Sequence, residues 1–515
     1  MGSNQLESNG SIKICVPLTT QQSVDEIVNG MHEAKAQGAH IVELRLHCIT
    51  NFHPRRDLQI ILSNKPLPLL IVFRPKWEGD EKMRLEALQL AMELGADFID
   101  VEFKAATRFL SLVGNKRNSK IIVSWYVDGV TPPKEELLQL IALMEATGAD
   151  IIKLVTHAAN ITEITTIFSL LPYSRQVPLI AYSVGERGLI SQLLSPKFGG
   201  FFVYGSLAGN PIPGLPFLDT LREAYKLEHV NAKTKVFGLI SKPVSHSKGP
   251  ILHNPSFRHI NYNGIYVPML VDDLKEFFST YPNPDFTGFS VGIPYKEEVL
   301  RFCDEVHPLA QSIGAVNTII RRPRDGKLVG HNTDCEASIT AIEDELIKHG
   351  CDEGGASLGS PLAGRLFVLV GAGGAGKALG FGAKNRGARV VIFDIDFERA
   401  KSLACAVCGE AQPYENLANF QPEKGAILAN ATPIGMHPNT DRIPVAEATL
   451  GDYQLVFDAV YTPRRTRLLK EADAAGAITV SGVEMFLRQA IAQFNLFTGL
   501  DAPEEFMREI VLSKF

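Results

Sequence analysis

Three observations predict an α/β protein with a closed (β/α)8 barrel in front and two open α/β lobes behind. Short apolar, β-branched runs alternate with helical patterns eight times through the first 210 residues. A polar connector, KLEHVNAKTK (226–235), then precedes a fresh series of strands and helices. Further on, the strand LFVLV (366–370) runs straight into GAGGAGKALGFGAKNRG, and a second strand, ARVVIFD, follows that helix. A chain of 515 residues is too long for one hydrophobic core, so several domains are expected.

Composition narrows the function class. Hydrophobic residues at 45% and charged residues at 21% are those of ordinary globular protein. A net charge of −6 argues against a nucleic-acid partner. No apolar run approaches the roughly 18–20 residues of a membrane span, so no membrane partner is expected. The 7 cysteines, at 15, 48, 303, 335, 351, 405 and 408, are scattered, with a single CxxC-type spacing at Cys405 and Cys408. Reduced thiols fit this pattern better than a disulfide framework, and no metal site is expected. The opening MGSNQLESNGS has no apolar signal core or Arg/Ser-rich transit segment, and Leu6 stands where myristoylation wants Ser or Thr. Cytoplasm or plastid stroma is the expected compartment, and a monomer the expected state.

The eight strand candidates are 11–18, 40–47, 68–75, 98–103, 120–127, 150–157, 178–185 and 201–207. Polar residues gather near their C-terminal ends, where barrels place their chemistry: Glu43, Arg45, Arg74, Glu102 and Lys153. Lys153, inside the apolar strand DIIKLVT, has two readings. It is a desolvated amine able to form a Schiff base, or a structural lysine paired with a carboxylate such as Glu102. VELRL, VFRPKWEGD, FIDVEF, ADIIKL and GERG…KFGG resemble the type I 3-dehydroquinate dehydratases over most of 11–225. The resemblance implies a domain over 1–228 with Lys153 as the Schiff-base lysine. It also exposes departures. The family's general-base histidine falls on Tyr126 and its carboxylate-binding arginine on Gln192. The closing-loop Ser and Gln fall on Pro211 and Leu215, and an expected aspartate on His47. Loss of a general base costs about 10²–10⁴-fold, so the barrel is expected to be inactive or nearly so, with a vestigial site.

In the second half, VFGLI, GIYVPML, FTGFSVGI and AVNTIIRR read as strands, with helices over 249–261, 272–280 and 295–304 between them. DEGGASLGSPLAGR (352–365) reads as a linker. Gly371, Gly373 and Gly376 fit GxGxxG after a strand and before a helix, which marks a dinucleotide-binding Rossmann lobe. Gly374 and Ala375 complete the loop, and Asp394 ends the second strand. A carboxylate there suits the ribose of NAD and repels the extra phosphate of NADP. NAD is therefore expected over NADP, with Arg399 a turn into the next helix as a further cofactor contact.

Lys296, in GIPYKE, and Asp334, in GHNTDC, are either a surface ion pair or a proton relay. GLISKPVSHSKGPILHN, FTGFSVGIPYKE, SIGAVNTI, GHNTD, VGAGGAGKA, ANATPIGM, FDAVYTPRRTRLL and SGVEMFLRQA are similar, in order, to the motifs of shikimate dehydrogenases over 236–515. With the barrel, the whole chain resembles the plant bifunctional dehydroquinate dehydratase/shikimate dehydrogenase family. That implies a substrate lobe over 236–345 and 478–515 and a Rossmann lobe over 346–477. It implies Lys296 and Asp334 as a catalytic dyad, and Ser247, Asn317, Tyr461 and Gln489 around the substrate. Thr432, Pro433, Met436 and Gly482 would line the nicotinamide. Where the family writes a second cradle serine this chain has Gly249, and where it writes a threonine this chain has Gly292. The family's Asn-Arg-Thr grip on NADP reads Asp394-Ile395-Asp396. Quinate carries a tetrahedral carbon and an added hydroxyl beside its carboxylate, and two glycines are expected to make room for them. The expected reaction is NAD-dependent interconversion of quinate and 3-dehydroquinate, with shikimate a candidate substrate. The alternative is an active dehydratase joined to an NADP-dependent shikimate dehydrogenase.

Overall fold

A computed structural model describes residues 12–74, 81–114, 118–173, 177–209, 211–212, 214–245, 247–351 and 359–514. The opening segment 1–11, and residues 352–358 of the linker, lie outside the described residues.

Eight parallel strands form the first sheet: β1 (Lys13–Leu18), β2 (Ile41–Arg45), β3 (Leu69–Val72), β4 (Phe98–Glu102), β5 (Lys120–Tyr126), β6 (Ile151–His157), β7 (Leu179–Val184) and β8 (Phe202–Tyr204). Their order is β7-β6-β5-β4-β3-β2-β1-β8. The Phe201 N–H donates to Leu179 O at 3.0 Å, carrying the edge of β8 back to β7. Strand parity sorts the side chains. Ile41, Leu70, Phe98, Ile122, Ile151, Ile180 and Phe202 pack into one core. Residues two further along, Glu43, Asp100, Ser124, Lys153, Tyr182 and Tyr204, are buried too.

The strands of the second half are β9 (Lys235–Ser241), β10 (Gly264–Leu270), β11 (Phe286–Val291), β12 (Glu305–Val306), β13 (Thr318–Arg321), β14 (Leu328–His331) and β15–β20. The last six are Leu366–Val370, Arg389–Asp394, Glu410–Pro413, Ile427–Asn430, Leu455–Asp458 and Ile478–Ser481. By its own contacts the chain divides into two compact units. One runs to Val236 and adds Asn263–Asp285; the other holds Phe237–Tyr262 and Phe286–Phe515. The segment that holds β10 falls in the first unit by these contacts, while β10 itself is the edge strand beside β9 in a six-stranded sheet. Arg187 makes two hydrogen bonds to Asp272, at 2.6 and 2.8 Å, and the Tyr281 hydroxyl donates to Ile161 O at 2.6 Å.

In the second unit, β9, β11, β13, β14 and β12 follow one another across a mixed sheet. The helix Gly482–Thr498 returns to it: Gln493 accepts from Ser290 at 2.7 Å and donates to Asn317 O at 3.3 Å. Gly288 lets that helix approach, since a Cβ there would stand 2.7 Å from the Phe497 ring. The cofactor lobe is all parallel, β17-β16-β15-β18-β19-β20, the doubly wound order. Phe367 and Leu369 of β15 enter one core, Val368 and Val370 the other, as a strand covered on both faces requires.

The helix expected over 295–304 is replaced by a turn and a short 3-10 helix, Glu298–Phe302. The Tyr295 N–H donates to Gly292 O at 3.0 Å within this turn, and the Lys296 carbonyl accepts the Val316 N–H at 2.7 Å, which ties the turn to the segment before β13.

Candidate functional site

The dyad forms at the edge of two elements. Lys296 projects from the turn after β11, and Asp334 opens the helix Asp334–Lys348 behind the cap residue Thr333. Their side chains meet at 2.6 Å, Nζ to Oδ2, with Asp334 5% and Lys296 20% exposed. A carboxylate in a first helical turn is favoured by the helix dipole. Asn317 fixes the approach to that helix. Its amide donates to the Thr333 hydroxyl at 2.9 Å, and its carbonyl accepts the Thr333 N–H at 2.8 Å. Asn332 adds a bond to Ala315 O at 3.0 Å and accepts the Cys335 N–H at 3.1 Å.

The lysine reaches across to the cofactor lobe. A Cβ on Gly374 would stand 3.1 Å from both Cβ and Cδ of Lys296, so the lysine stem lies on the first residue of helix Gly374–Asn385. Glu297 beside it accepts Lys377 Nζ of that helix at 2.7 Å and faces Arg399 at 3.4 Å. The glycine loop has the shape a dinucleotide needs. A Cβ on Gly376 would lie 2.0 Å from Gly371 O, and Gly371 itself has φ +103°. Gly373 caps the helix, leaving Gly374 and Ala375 at an N-terminus that favours phosphate. Asp394 accepts the Ala372 N–H at 2.6 Å and the Asp396 N–H at 2.8 Å, which ties the loop to the end of β16. The Arg399 guanidinium lies over Gly373, 3.5 Å from the place a Cβ would take.

A buried network sets the loop 431–436. Asn430 accepts Thr432 N–H and hydroxyl at 3.0 and 2.7 Å, and donates to Asp458 at 2.9 Å. Asp458 also accepts Val460 N–H at 3.0 Å and the Thr466 hydroxyl at 2.6 Å. Thr432 Cγ2 lies 3.0 Å from a Cβ built on Gly371, so this loop abuts the glycine loop, with Pro433 and Met436 beyond it. Gly482 is needed where the chain returns, since a Cβ would stand 2.5 Å from Ala459 O. Tyr461 stacks at 4.9 Å on Phe486, whose carbonyl accepts Gln489 at 2.9 Å. Burial, and then the charge of Asp334, push the Tyr461 phenol up.

The cradle differs in part from expectation. Ser247 accepts the Gly249 N–H at 3.1 Å, at the start of helix Gly249–His259. Gly292, however, does not leave open space. A Cβ there would meet Ser241 Oγ at 2.6 Å and Ser241 Cβ at 2.9 Å, so a neighbouring side chain fills the room. Ser241, Glu297, Asn430 and Asp458 were not singled out from sequence. Ser241, Asn430 and Asp458 each end a strand inside a motif that was, and strand ends are where such lobes build their sites, while Glu297 follows Lys296 in the turn after β11.

In the barrel, Lys153 is caged. Its Nζ lies 3.0 Å from Glu43 and 3.1 Å from Asp100. Glu43 also accepts from Arg45 at 2.9 Å and from the Tyr204 hydroxyl at 2.7 Å. The partner expected from sequence, Glu102, pairs instead with Arg84 at 3.2 Å, because it lies past the end of the cage. Burial alone would lower the Lys153 ammonium, but Glu43 first, with Tyr126, Tyr204 and Asp100 around it, holds it well above the usual lysine range. The Arg74 guanidinium stacks on Tyr126, 3.5 Å from the ring centre. Gln192 accepts the Tyr204 N–H at 2.9 Å, while its buried Nε2 has no hydrogen-bond partner among the described residues.

Comparison with known proteins accounts for both halves. The type I 3-dehydroquinase family matches residues 14–232. The shikimate dehydrogenase substrate-binding domain matches 239–319, and the shikimate 5'-dehydrogenase C-terminal domain 482–512. The bifunctional 3-dehydroquinate dehydratase/shikimate dehydrogenase, chloroplastic, of Arabidopsis thaliana is 48% identical over 524 residues, covering 100% of this chain and 86% of that protein. The chain belongs to that bifunctional family. It is an NAD(P)-dependent oxidoreductase with small-molecule substrates. The NADP-dependent shikimate dehydrogenase of Methanocaldococcus jannaschii is 36% identical over 55% of this chain and 99% of its own. Among solved structures, a shikimate dehydrogenase with NADP+ matches at 34% identity and TM-score 0.48, over 55% of this chain and 97% of its own. A Corynebacterium glutamicum quinate dehydrogenase with NAD matches at 30% and 0.47, over 54% and 99%. Among the described residues no helix is long and apolar enough to cross a membrane.

Three outcomes follow from this geometry. Lys296→Ala should lower kcat by about 10²–10⁴-fold with little change in substrate KM, read from steady-state rates. Lys153→Ala leaves Asp100 buried without its lysine and Glu43 with Arg45 alone, and should destabilise the chain by about 3–5 kcal/mol, read by denaturant unfolding. Asp458 is pushed up from 3.8 to about 6, by burial against its three hydrogen bonds. Its folded value exceeds the unfolded one, so its contribution is fully present below 3.8 and lost as pH rises through about 6. Wild type should therefore lose stability relative to Asp458→Asn across that window, read from unfolding midpoints at successive pH values.

Proposed function

We propose that the second half of this chain oxidises quinate to 3-dehydroquinate with NAD+, and that the barrel has lost most or all dehydratase turnover. The observation that carries the substrate is the cradle at the start of helix Gly249–His259: Ser247 is followed by Gly249 where a second serine is expected, while the Ser241 side chain takes the space beside Gly292. Quinate's carboxylate leaves a tetrahedral carbon that also bears a hydroxyl, so a cradle with fewer side chains suits it. A site lacking hydrogen-bond partners discriminates strongly against the acid that needs them. The cofactor choice is supported by Asp394, whose carboxylate is held beside the glycine loop and would oppose a 2′-phosphate.

The dinucleotide, when bound, supplies the hydride acceptor. Lys296 Nζ takes the hydroxyl proton as the carbon–hydrogen bond breaks, and Asp334, 2.6 Å away, orients the lysine. Asn317 and Asp334 would hold ring hydroxyls, with Tyr461 and Gln489 closing the pocket. Quinate and NAD+ then give 3-dehydroquinate, NADH and a proton. The quiet barrel is supported by Lys153, held as an ammonium where imine formation needs a neutral amine, and by Tyr126 in the place of the expected base. The substrate lobe would comprise 236–345 and 478–515, and the cofactor lobe 346–477.

A second reading keeps both ancestral activities, with NADP. The position of Arg399 over Gly373 favours it, since that guanidinium could meet a phosphate. Initial rates on quinate and shikimate, each with NAD+ and NADP+, decide between the two. The proposal expects the highest kcat/KM with quinate and NAD+, and little loss of 3-dehydroquinate by dehydration. Dominant use of shikimate with NADP+ would overturn it. Asp394→Ser should raise kcat/KM for NADP+ by about tenfold and lower it for NAD+.

A further inference from the structure

Ser241 ends β9 and Gly292 follows β11, and each stands at the root of one part of the site. Past Ser241 the chain enters the cradle of Ser247 and Gly249. Past Gly292 it enters the turn that carries Lys296. The two roots are laced together. The Gly292 N–H donates to Ile240 O at 2.8 Å, and the Lys242 N–H donates to Ile293 O at 3.0 Å. The Ser241 hydroxyl donates to that same Ile293 carbonyl at 2.9 Å. Gly292 O in turn accepts the Tyr295 N–H at 3.0 Å, directly before the lysine.

Between these bonds there is room for one side chain. A Cβ on Gly292 would stand 2.6 Å from Ser241 Oγ and 2.9 Å from Ser241 Cβ. Rotating the hydroxyl relieves the first contact but not the second, because Cβ is fixed to the backbone. Close-packed interiors answer such an overlap by shifting backbone. The backbones that would shift are those carrying the cradle and the lysine.

We infer that Ser241 and Gly292 form one steric pair that sets the spacing between the carboxylate cradle and the Lys296–Asp334 dyad, and that Ser241 is a specificity-determining positioning residue. The polar side chain of this gap is supplied from β9, so position 292 must stay bare. Quinate and shikimate differ in where the carboxylate stands relative to the hydroxyl being oxidised. A spacing fixed by this pair therefore selects between them. The direction of selection rests on the quinate reading; the coupling of the two positions does not.

The test is a cycle of wild type, Ser241→Gly, Gly292→Thr and the double variant, with kcat and KM measured on quinate and shikimate. Gly292→Thr alone should lower kcat/KM for both acids by at least about tenfold. Adding Ser241→Gly should recover most of that loss. In the double variant the quinate-to-shikimate ratio of kcat/KM should fall by at least about tenfold relative to wild type. A lesion that only loosened the fold would lower both acids alike and leave the ratio unmoved. Additive effects, or a ratio within about twofold of wild type in the double variant, would overturn the inference. Should Gly292→Thr fail to fold, Gly292→Ala places the same Cβ. Ser241→Ala, which frees the Ile293 carbonyl while keeping Cβ, should shift the ratio with thermal stability nearly unchanged; an unmoved ratio overturns the role of the hydroxyl. A wild type that oxidises only shikimate would sink the quinate reading, and the cycle would still decide the coupling.

Discussion

The second unit turns on one close approach: the stem of Lys296 lying on Gly374. That contact brings Lys296, the base proposed for the substrate lobe, to the first residue of the cofactor helix, and a Cβ at 374 would sit 3.1 Å from the lysine. The other parts of the proposed site converge there. Asp334 arrives from its own helix N-terminus. The glycine loop arrives from β15, tied by Asp394 to β16. Glu297 and Lys377 clasp the two lobes next to the lysine at 2.7 Å. Surface ion pairs of this kind contribute little to stability, typically below about 1 kcal/mol. Their value here lies in where they sit, beside the residue whose position matters most.

The two units handle buried charge in opposite ways. In the barrel, Lys153 lies between Glu43 and Asp100 with the rings of Tyr126 and Tyr204 beside it, and the carboxylates offset the burial of its ammonium. In the cofactor lobe, Asp458 is fully buried with three donors and no cation beside it among the described residues, and its carboxyl is pushed up to about 6. A buried carboxylate without a cation weakens a fold near neutral pH. It is retained where it organises two loops at once: through Asn430 the segment 431–436, and through Val460 the approach to Tyr461.

Motif-bearing parts of the chain were legible because the chemistry of local backbone demands particular residues. Gly371 and Gly376 could be read from spacing, since one adopts φ +103° and the other has no room for a Cβ. The eight barrel strands could be read from β-branched runs, since strands buried on both faces need them. Asp100 escaped notice although its parity with Phe98 and Glu102 puts it on the inward face. Parity names a face but not how far up the barrel a side chain reaches, and so Glu102 was taken for the lysine's partner in its place. Ser241 escaped notice because a serine before a lysine-proline pair carries no local signal at all.

The amino-acid sequence by itself determined the order of the lobes, the dinucleotide loop, the Lys296–Asp334 candidates and the bare positions at 249 and 292. Each is a property of residues close together in the chain, or of a motif that local geometry enforces. Only the tertiary structure decided which buried group meets which. It set Ser241 opposite Gly292, caged Lys153 with Asp100 rather than Glu102 and carried Arg399 over Gly373. These pairings join segments distant in sequence, and only packing brings them to within an ångström-scale fit.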